Sequence, residues 1–395
     1  MADKSNYYHN SAYVLRILRY AVTFLFIIFL ISCIVIFRKD ITIENIQLLA
    51  KFISFDSSAS DYTEEFTITA NEDSDIVMLR NNLGIINHNN ISLCDLSGQK
   101  LFSYNFSLSS PAVVHDDHSI IVYDINGNSL TLFNSFSKIK DFKYKGNVLA
   151  ADVNDDYFTV ITDDDSYNSL LKVYAYSYHE RDYIETFTLK STDYLTSCGI
   201  SHNGRFVVSS SVDATEGSFL SKIQIYDTSS KSTTPLYSHV INNEMPIKVG
   251  FSEDNQNAFV ITDSAIHFFN NRLEAVSSHK FNQSKIQNFY DDDSMIILSE
   301  RNNLSGNSVL LTGISKSGDV IFENNISDEL YDVCIGNEKI FALGKQRVYE
   351  FSSEKDSLYS VVKEAELDSK YFSIICDTED NCYVLSDSYV KRITF

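Results

Sequence analysis

One pair of strands recurs along this chain, and the repeat constrains the fold more than any other feature of the sequence. Each copy has an apolar strand, a short turn rich in Asp and Asn, and a second apolar strand that ends in a polar residue. Eight copies occur, among them AVVHDDHSIIVYD from Ala112, VGFSEDNQNAFVITD from Val249 and SIICDTEDNCYVLSD from Ser373. Seven of them are followed by a second hairpin. Units of four strands, repeated about every 42 residues, are typical of propeller blades.

The repeat therefore predicts an all-β fold, an eight-bladed β-propeller. The copy that begins at Asp75 (DIVMLRNNLGIIN) diverges most from the others. A seven-bladed ring and two stacked β-domains are therefore the alternatives. The first strands of the eight units are expected to start near Ile76, Ala112, Leu149, Thr196, Ile247, Ile286, Tyr331 and Tyr371.

The last unit is one strand short. It contains only SIICD, CYVLS and YVKRITF before the sequence stops at Phe395. An unassigned strand, EFTITA at residues 65–70, precedes the first unit. If this strand completes the last blade, the ring closes and its sheet edges are protected. We therefore predict a propeller over residues 65–395, closed by the strand at residues 65–70.

An uninterrupted apolar run precedes the repeats. Residues 20–37 read YAVTFLFIIFLISCIVIF, with Arg16 and Arg19 before them and Arg38 and Lys39 after them. At about 1.5 Å per residue, a helix of this length approaches the ~30 Å of hydrocarbon in a bilayer. A cleaved signal peptide is the alternative, but its apolar region is usually only ~7–15 residues long and ends in a small-residue cleavage site. The run predicts one transmembrane helix.

The remaining amino-terminal residues suggest how this helix is oriented. We assign residues 1–19 to a short basic tail and residues 38–64 to a stalk and linker. Basic residues flank both ends of the run, so the positive-inside comparison is indecisive. A short tail followed by a large acidic domain favours a signal anchor. We therefore expect a single-pass protein of the cell membrane with an extracytoplasmic propeller.

Charge limits the classes of partner. The 395-residue chain has 53 acidic and 32 basic residues, for a formal net charge of −21. Nucleic acids and anionic lipid surfaces attract clustered Lys and Arg, which this chain lacks. The sequence therefore predicts no nucleic-acid partner.

Asp-rich clusters suggest a calcium site, because hard cations prefer carboxylate oxygens. The clusters are Asp116/Asp117, Asp155/Asp156, Asp163 to Asp165 and Asp291 to Asp293. Most of them fall in first-hairpin turns, where Asp is favoured without any metal. His115 and His118 flank one cluster, but no third metal ligand stands at a matching spacing. We therefore assign no metal-ligating residue.

Catalytic motifs are equally absent. The sequence has no G-x-S-x-G elbow, H-E-x-x-H, P-loop or dinucleotide fingerprint. A catalytic pair of carboxylates that meets only in the folded protein remains an open alternative, because the chain has too many acidic residues to choose between. No catalytic or cofactor-binding residue is assigned, and no cofactor is expected.

The cysteines do not form a disulfide framework. Cys94, Cys198 and Cys334 fall in apolar strands, where a buried thiol is expected. Cys376 and Cys382 flank the turn DTEDN and could face each other across a hairpin. A disulfide between these two cysteines is left open.

Three stretches carry a family resemblance: the anchor at residues 20–37, the stalk sequence ITIENI, and the pattern ISLCDLSGQKL followed by SPAVVHDDHSIIVYDINGNSLTLFN. Together they resemble an uncharacterised family of single-pass membrane-anchored β-propeller proteins from clostridial Firmicutes. The resemblance covers nearly the whole chain. It implies an extracytoplasmic propeller and supplies no functional residues.

The expected function is that of a binding scaffold. A propeller offers a large preformed surface, so we expect a membrane-anchored scaffold that binds a protein or a cell-envelope polymer. The alternative is an enzyme that processes an envelope carbohydrate or peptide with acids at the propeller funnel. A sensory ectodomain would need a partner in the membrane, because the tail at residues 1–19 is too short for an output domain.

Overall fold

The structure is a computed structural model of the chain. It describes residues 65–79, 81–135, 137–154, 156–215, 218–230, 232–282, 285–292, 294–302, 308–354 and 357–395, and, near the amino terminus, helical residues 19–20, 22–26 and 29. In these ranges, no helix is both long and apolar enough to cross a bilayer. Most of the predicted transmembrane run and all of the stalk lie outside the described residues.

Eight separate four-stranded antiparallel sheets make up the part of the chain after residue 64. In seven of them, four consecutive strands pair in chain order. First strands of successive sheets contact one another, so they line the centre of a ring. The predicted eight-bladed β-propeller is confirmed.

The strands are numbered along the chain. Each blade has an inner strand, a second strand, a third strand and an outer strand. The inner strands are β2 (Asp75–Leu79), β6 (Pro111–His115), β10 (Val148–Asn154), β14 (Tyr194–Ile200), β18 (Pro246–Phe251), β22 (Ile286–Asp291), β26 (Leu330–Ile335) and β30 (Ser373–Cys376). The second strands are β3 (Asn82–Asn87), β7 (Ser119–Asp124), β11 (Tyr157–Thr162), β15 (Phe206–Thr215), β19 (Asn257–Thr262), β23 (Met295–Arg301), β27 (Lys339–Gly344) and β31 (Cys382–Leu385). Each inner strand starts within two residues of its predicted position.

The outer half of each blade follows the same order. The third strands are β4 (Asn90–Asp95), β8 (Ser129–Asn134), β12 (Ser169–Ser177), β16 (Ser218–Asp227), β20 (Ala265–Asn270), β24 (Val309–Ser315), β28 (Arg347–Glu354) and β32 (Tyr389–Ile393). The outer strands are β5 (Lys100–Asn105), β9 (Lys138–Lys143), β13 (Asp182–Ser191), β17 (Tyr237–Asn242), β21 (Ala275–Lys280), β25 (Val320–Ile326), β29 (Ser357–Glu366) and β1 (Glu65–Thr67). A 3-10 turn, Thr228–Ser230, follows β16.

Strand direction defines two faces of the ring. The top face is the one at which the inner strands begin, and the bottom face is the one at which they end. Loops that join the second and third strands, and loops that join one blade to the next, therefore lie at the top. Each blade also has two hairpin turns, one between its first and second strands and one between its third and fourth, and both lie at the bottom.

The hydrophobic core lies between neighbouring blades. Leu132 of blade 2 packs with Phe158 of blade 3, and Val208 of blade 4 packs with Val260 of blade 5. Second strands are covered on both faces, so they read as continuous apolar runs such as FVIT in β19. Burial between sheets therefore explains why the apolar hairpin is the part of the unit that recurs most clearly.

Blade 8 is built from both ends of the propeller. β1 pairs antiparallel with β32, with Phe66 opposite Val390, and the amide of Ile68 donates to the carbonyl of Ser388 at 2.8 Å. Phe66 is buried. The paired strand covers residues 65–67 and is shorter than the sequence run 65–70, because the chain then turns across the top face toward β2.

The insertion at residues 212–220 differs from its expected form. The fourth unit is longer than the repeat around residues 212–220, and this extra length predicts a longer loop between its second and third strands, suited to contact with a partner. The described residues extend β15 and β16 instead, with Asp213 opposite Leu220 and Thr215 opposite Ser218. The inner strand β14 ends its pairing at Val212. Three further residue pairs therefore project above the top face, by about 10 Å at ~3.3 Å per residue.

The closing strand generates a prediction about stability. A truncated protein that begins at Asn71 lacks β1, so the edge of β32 is exposed and the burial of Phe66 is lost. We expect it to be less stable by about 3 kcal/mol than a protein that begins at Asp61, mostly because a buried Phe contributes ~1.5–3 kcal/mol. Urea unfolding followed by circular dichroism measures the difference. Equal midpoints would contradict closure by β1.

Candidate functional site

The inner strands enclose a central channel. At its bottom mouth lies a cavity of about 610 Å³. Its wall includes His115, Asp291, Asp332 and Cys334 from inner strands, and the turn residue Asp117. Because the channel is open to water but surrounded by protein, its side chains are accessible and still partly desolvated.

A buried carboxylate in this wall binds two lysines. Asp291 of blade 6 lies 2.8 Å from Lys248 Nζ of blade 5 and 3.3 Å from Lys316 Nζ. Lys316 is 6% exposed, and its ammonium group lies 3.9 Å from the centre of the Phe259 ring. Burial alone would raise the pKa of Asp291, but the two ammonium groups hold it below its ordinary value. The trio is therefore an ionic link between blades 5 and 6.

Two other channel carboxyls are hydrogen-bonded to the next blade. Asp152 of blade 3 accepts the amide of Ile200 in blade 4 at 2.8 Å, and Asp332 of blade 7 accepts the amide of Ile374 in blade 8 at 3.0 Å. Burial raises the pKa of Asp152 to about 6 and also raises that of Asp332. Burial lowers the pKa of His115, and the charge of Lys248 adds to this effect.

The Asp-rich clusters mostly serve their turns. Asp116, Asp164 and Asp292 each accept the backbone amide two residues ahead, at 2.8 to 2.9 Å. Residues 155 and 293 lie outside the described residues. In the part of the chain that the structure describes, no three His, Cys, Asp or Glu side chains are grouped to hold a metal ion. The hydrogen bonds are those that the turn interpretation requires.

Five cysteines are described, and all are free thiols. Cys94 and Cys198 are buried, as their apolar strands predict. Cys334 is only half buried, because its strand lines the channel. Cys376 and Cys382 are opposite one another in β30 and β31 but are not bonded.

Large apolar side chains are exposed together at the top of blades 4 and 5. We call Tyr194, Phe219, Met245 and Ile247 the top patch; they are 65%, 45%, 46% and 55% exposed. Tyr194 and Ile247 belong to adjacent inner strands, which approach closely because Gly199 and Gly250 face each other without side chains.

Local backbone structure explains this exposure. Ile247 lies in a bulge between Pro246 and Lys248, which removes it from the regular pairing. Phe219 lies on the extended hairpin of blade 4, and its carbonyl accepts the amide of Asn243 at 2.9 Å. That bond holds the hairpin against the loop that carries Met245. The top patch is therefore fixed on ordered backbone.

Acidic groups and a groove border the top patch. Asp193 and Asp263 lie in the surrounding loops, and Glu244 directly precedes Met245. Glu244 also lies 2.6 Å from His267 Nε2. His267 lines a groove of about 300 Å³ between blades 4 and 5, together with His239. Apolar surface with an acidic border thus continues from the top face to the rim of the ring.

Sequence reasoning missed both the ionic trio and the top patch. Lys248 comes from the fifth unit, whereas Asp291 and Lys316 come from the sixth, and nothing in their local sequence links them. A partial signal for the top patch existed in the extra residues 212–220, which the repeat spacing predicts to be a loop suited to contact with a partner. The bulge that exposes Ile247 has no comparable signal.

The fold defines this chain as an eight-bladed β-propeller. The sequence matches the model of a family of unknown function, DUF5711, over residues 56–395, so the chain belongs to that family. No match was found among curated proteins.

Solved propellers resemble this chain in fold. Sqt1 from Saccharomyces cerevisiae has a TM-score of 0.56 and 10% identity over 83% of this chain and 98% of its own. BamB from Moraxella catarrhalis has a TM-score of 0.51 and 13% identity over 84% of this chain and 99% of its own. At these identities, the similarity shows the fold alone.

The ionic trio generates a prediction about stability. Asp291→Asn leaves Lys248 and Lys316 without their counter-charge. We expect a loss of about 2–3 kcal/mol, below the ~3–5 kcal/mol of a fully buried pair, because Lys248 keeps contact with channel water. The matched control is Asp292→Asn, which retains an oxygen to accept the turn amides. Urea unfolding should separate the two variants, and equal losses would contradict the role of the trio.

Proposed function

We propose that this protein is a single-pass membrane-anchored scaffold whose extracytoplasmic propeller binds a protein partner through the top patch. The observation that carries the proposal is the top patch itself. Four large apolar side chains are exposed on ordered backbone at one place, and such patches mark interaction sites in soluble domains.

The chain path supports this use of the top face. β1 is the outer strand of blade 8 and runs from the bottom face to the top face, antiparallel to β32. Glu65 therefore lies at the bottom, on the face opposite the top patch.

Charge and shape narrow the chemistry of the partner. Asp193 already pairs with Lys222, so Glu244 and Asp263 supply the acidic border, which favours apolar side chains flanked by Lys or Arg. Met245 and Ile247 offer no side-chain hydrogen bonds to the hydroxyls of a wall polysaccharide. We therefore favour a basic, apolar protein segment over a glycan.

An envelope carbohydrate- or peptide-processing enzyme is the second candidate. It would use acids at the channel mouth, where the pKa of Asp332 is raised and that of Asp291 is lowered, a contrast that acid and base catalysts also have. In this propeller, both carboxyls already bond to neighbouring groups that join blades. That structural use favours binding over catalysis.

The anchor generates the first prediction of this proposal. The full chain should remain in the membrane pellet after alkaline carbonate extraction, because residues 20–37 are apolar throughout. A protein that lacks residues 1–39 should be soluble and give a β-sheet circular dichroism spectrum. Release of the full chain by carbonate, or aggregation of the truncated form, would contradict a separable anchor.

The top patch generates the second prediction. A photoreactive benzoylphenylalanine at position 219 of the full chain should form one discrete protein adduct in intact cells. Ile247→Ser should reduce that adduct about tenfold, because burial of an Ile contributes ~1.5–3 kcal/mol.

The matched control uses the opposite face. Val320 is 49% exposed at the bottom of β25, so the same photoreactive residue there should give no such adduct. Circular dichroism should show that each variant is folded, since exposed substitutions usually change stability by less than ~0.5 kcal/mol. Adducts of equal yield from both positions would contradict binding at the top patch.

A further inference from the structure

Three thiols meet between blade 7 and blade 8. Cys334 belongs to β26, whereas Cys376 and Cys382 belong to β30 and β31. Cys382 is in the core that packs blade 7 on blade 8, and the other two lie partly buried against that core. The described chain has no second group of this kind.

The register of the inner strands places Cys334 opposite Cys376. The carboxylate of Asp332 reaches across to the amide of Ile374 and to Ser373 Oγ, at 3.0 and 2.7 Å. Side chains two residues apart share a face of a strand. The side chain of Cys334 therefore points toward blade 8, as that of Asp332 does. It lies two residues further along β26, level with Cys376 in β30.

Cys376 has a second neighbour within its own blade. It lies directly opposite Cys382. The next pair toward the turn is hydrogen-bonded, since the amide of Asp377 donates to the carbonyl of Asn381. Hydrogen-bonded and non-hydrogen-bonded pairs alternate along antiparallel strands, so Cys376 and Cys382 are a non-hydrogen-bonded pair, with Cα atoms about 4.5 Å apart. This separation is at the short limit of the ~4.4–6.8 Å that disulfides adopt.

Access to solvent distinguishes the two pairs. Cys334 and Cys376 both line the cavity at the bottom mouth of the channel. Cys382 is 2% exposed and is not part of the cavity wall. A small oxidant in the channel therefore reaches the pair that spans the two blades.

We propose that Cys334 and Cys376 form an oxidisable site, in which a low-molecular-weight disulfide of the glutathione type converts the two thiols into a covalent link between blade 7 and blade 8. The proposal stands independently of the partner and the membrane anchor.

The reaction balances as thiol–disulfide exchange. The thiolate of one cysteine attacks a sulfur of the small disulfide, forms a mixed disulfide and releases one small thiol. The thiolate of the second cysteine then attacks the protein sulfur of that mixed disulfide and releases the other small thiol. Two protein thiols are oxidised, one small disulfide is reduced, and the two protons end on the released thiols.

The surroundings make this exchange slow at neutral pH. Burial raises the pKa of Cys334 well above its ordinary value, so the thiol stays protonated. Its rate should still rise above pH 10, where an ordinary cysteine with a pKa of about 8.5 has reached its plateau. Once formed, the link would hold the closing blade against its neighbour.

The test uses the reduced, purified full chain and oxidised glutathione at pH 9. Free thiols are blocked, and the products are mapped by mass spectrometry without reduction. We expect a peptide pair joined through Cys334 and Cys376, and a melting temperature several degrees higher than that of the reduced protein. The pair should persist in Cys382→Ala and in the control Cys94→Ala.

Three outcomes would overturn the proposal. They are a bond between Cys376 and Cys382 as the main product, glutathione adducts with no internal bond, and no oxidation of Cys334 at any pH. The mapping uses the native sequence, so the conclusion does not depend on how well a cysteine variant folds.

Discussion

The pairing of β1 with β32 is the constraint on which the rest of the structure depends. A row of blades exposes a sheet face at each end, and only closure buries both. Here closure depends on a three-residue strand and the buried ring of Phe66. The same pairing places Glu65 at the bottom face of the ring.

Links between neighbouring blades reinforce this short closure from the inside. Asp152 to Ile200, Asp291 to its two lysines, and Asp332 to Ile374 each join adjacent inner strands. Charged groups in the channel therefore hold the ring together. The surface with unused binding capacity lies instead at the top, where the glycine contact between blades 4 and 5 and the bulge at Ile247 expose apolar side chains.

Much of the fold could be predicted from the sequence, because each blade repeats one local pattern. The apolar hairpin located every inner strand, and a missing fourth strand identified residues 65–70 as the closing element. The Asp-rich turns were also predictable, since Asp116 and Asp292 bond to amides only two residues away. Local hydrogen bonding and burial between sheets both produce a repeating pattern in the sequence.

The candidate sites could not be predicted in the same way. Lys248 and Asp291 lie in different blades and meet only when blades 5 and 6 pack against each other. Whether Cys334 faces Cys376 depends on the relative height of two strands, which no local pattern encodes. The extra length at residues 212–220 could be seen in the repeat spacing, but the pairing of these residues into a longer hairpin could not.

Hydrogen exchange of the full chain, followed by mass spectrometry, tests the closed ring most directly. Peptides that cover residues 65–70 report on the amide of Ile68, which donates to Ser388. If β1 closes the propeller, this amide exchanges as slowly as amides of β32, because both open in one cooperative step. Exchange as fast as in an unstructured peptide, with β32 still protected, would contradict closure by β1.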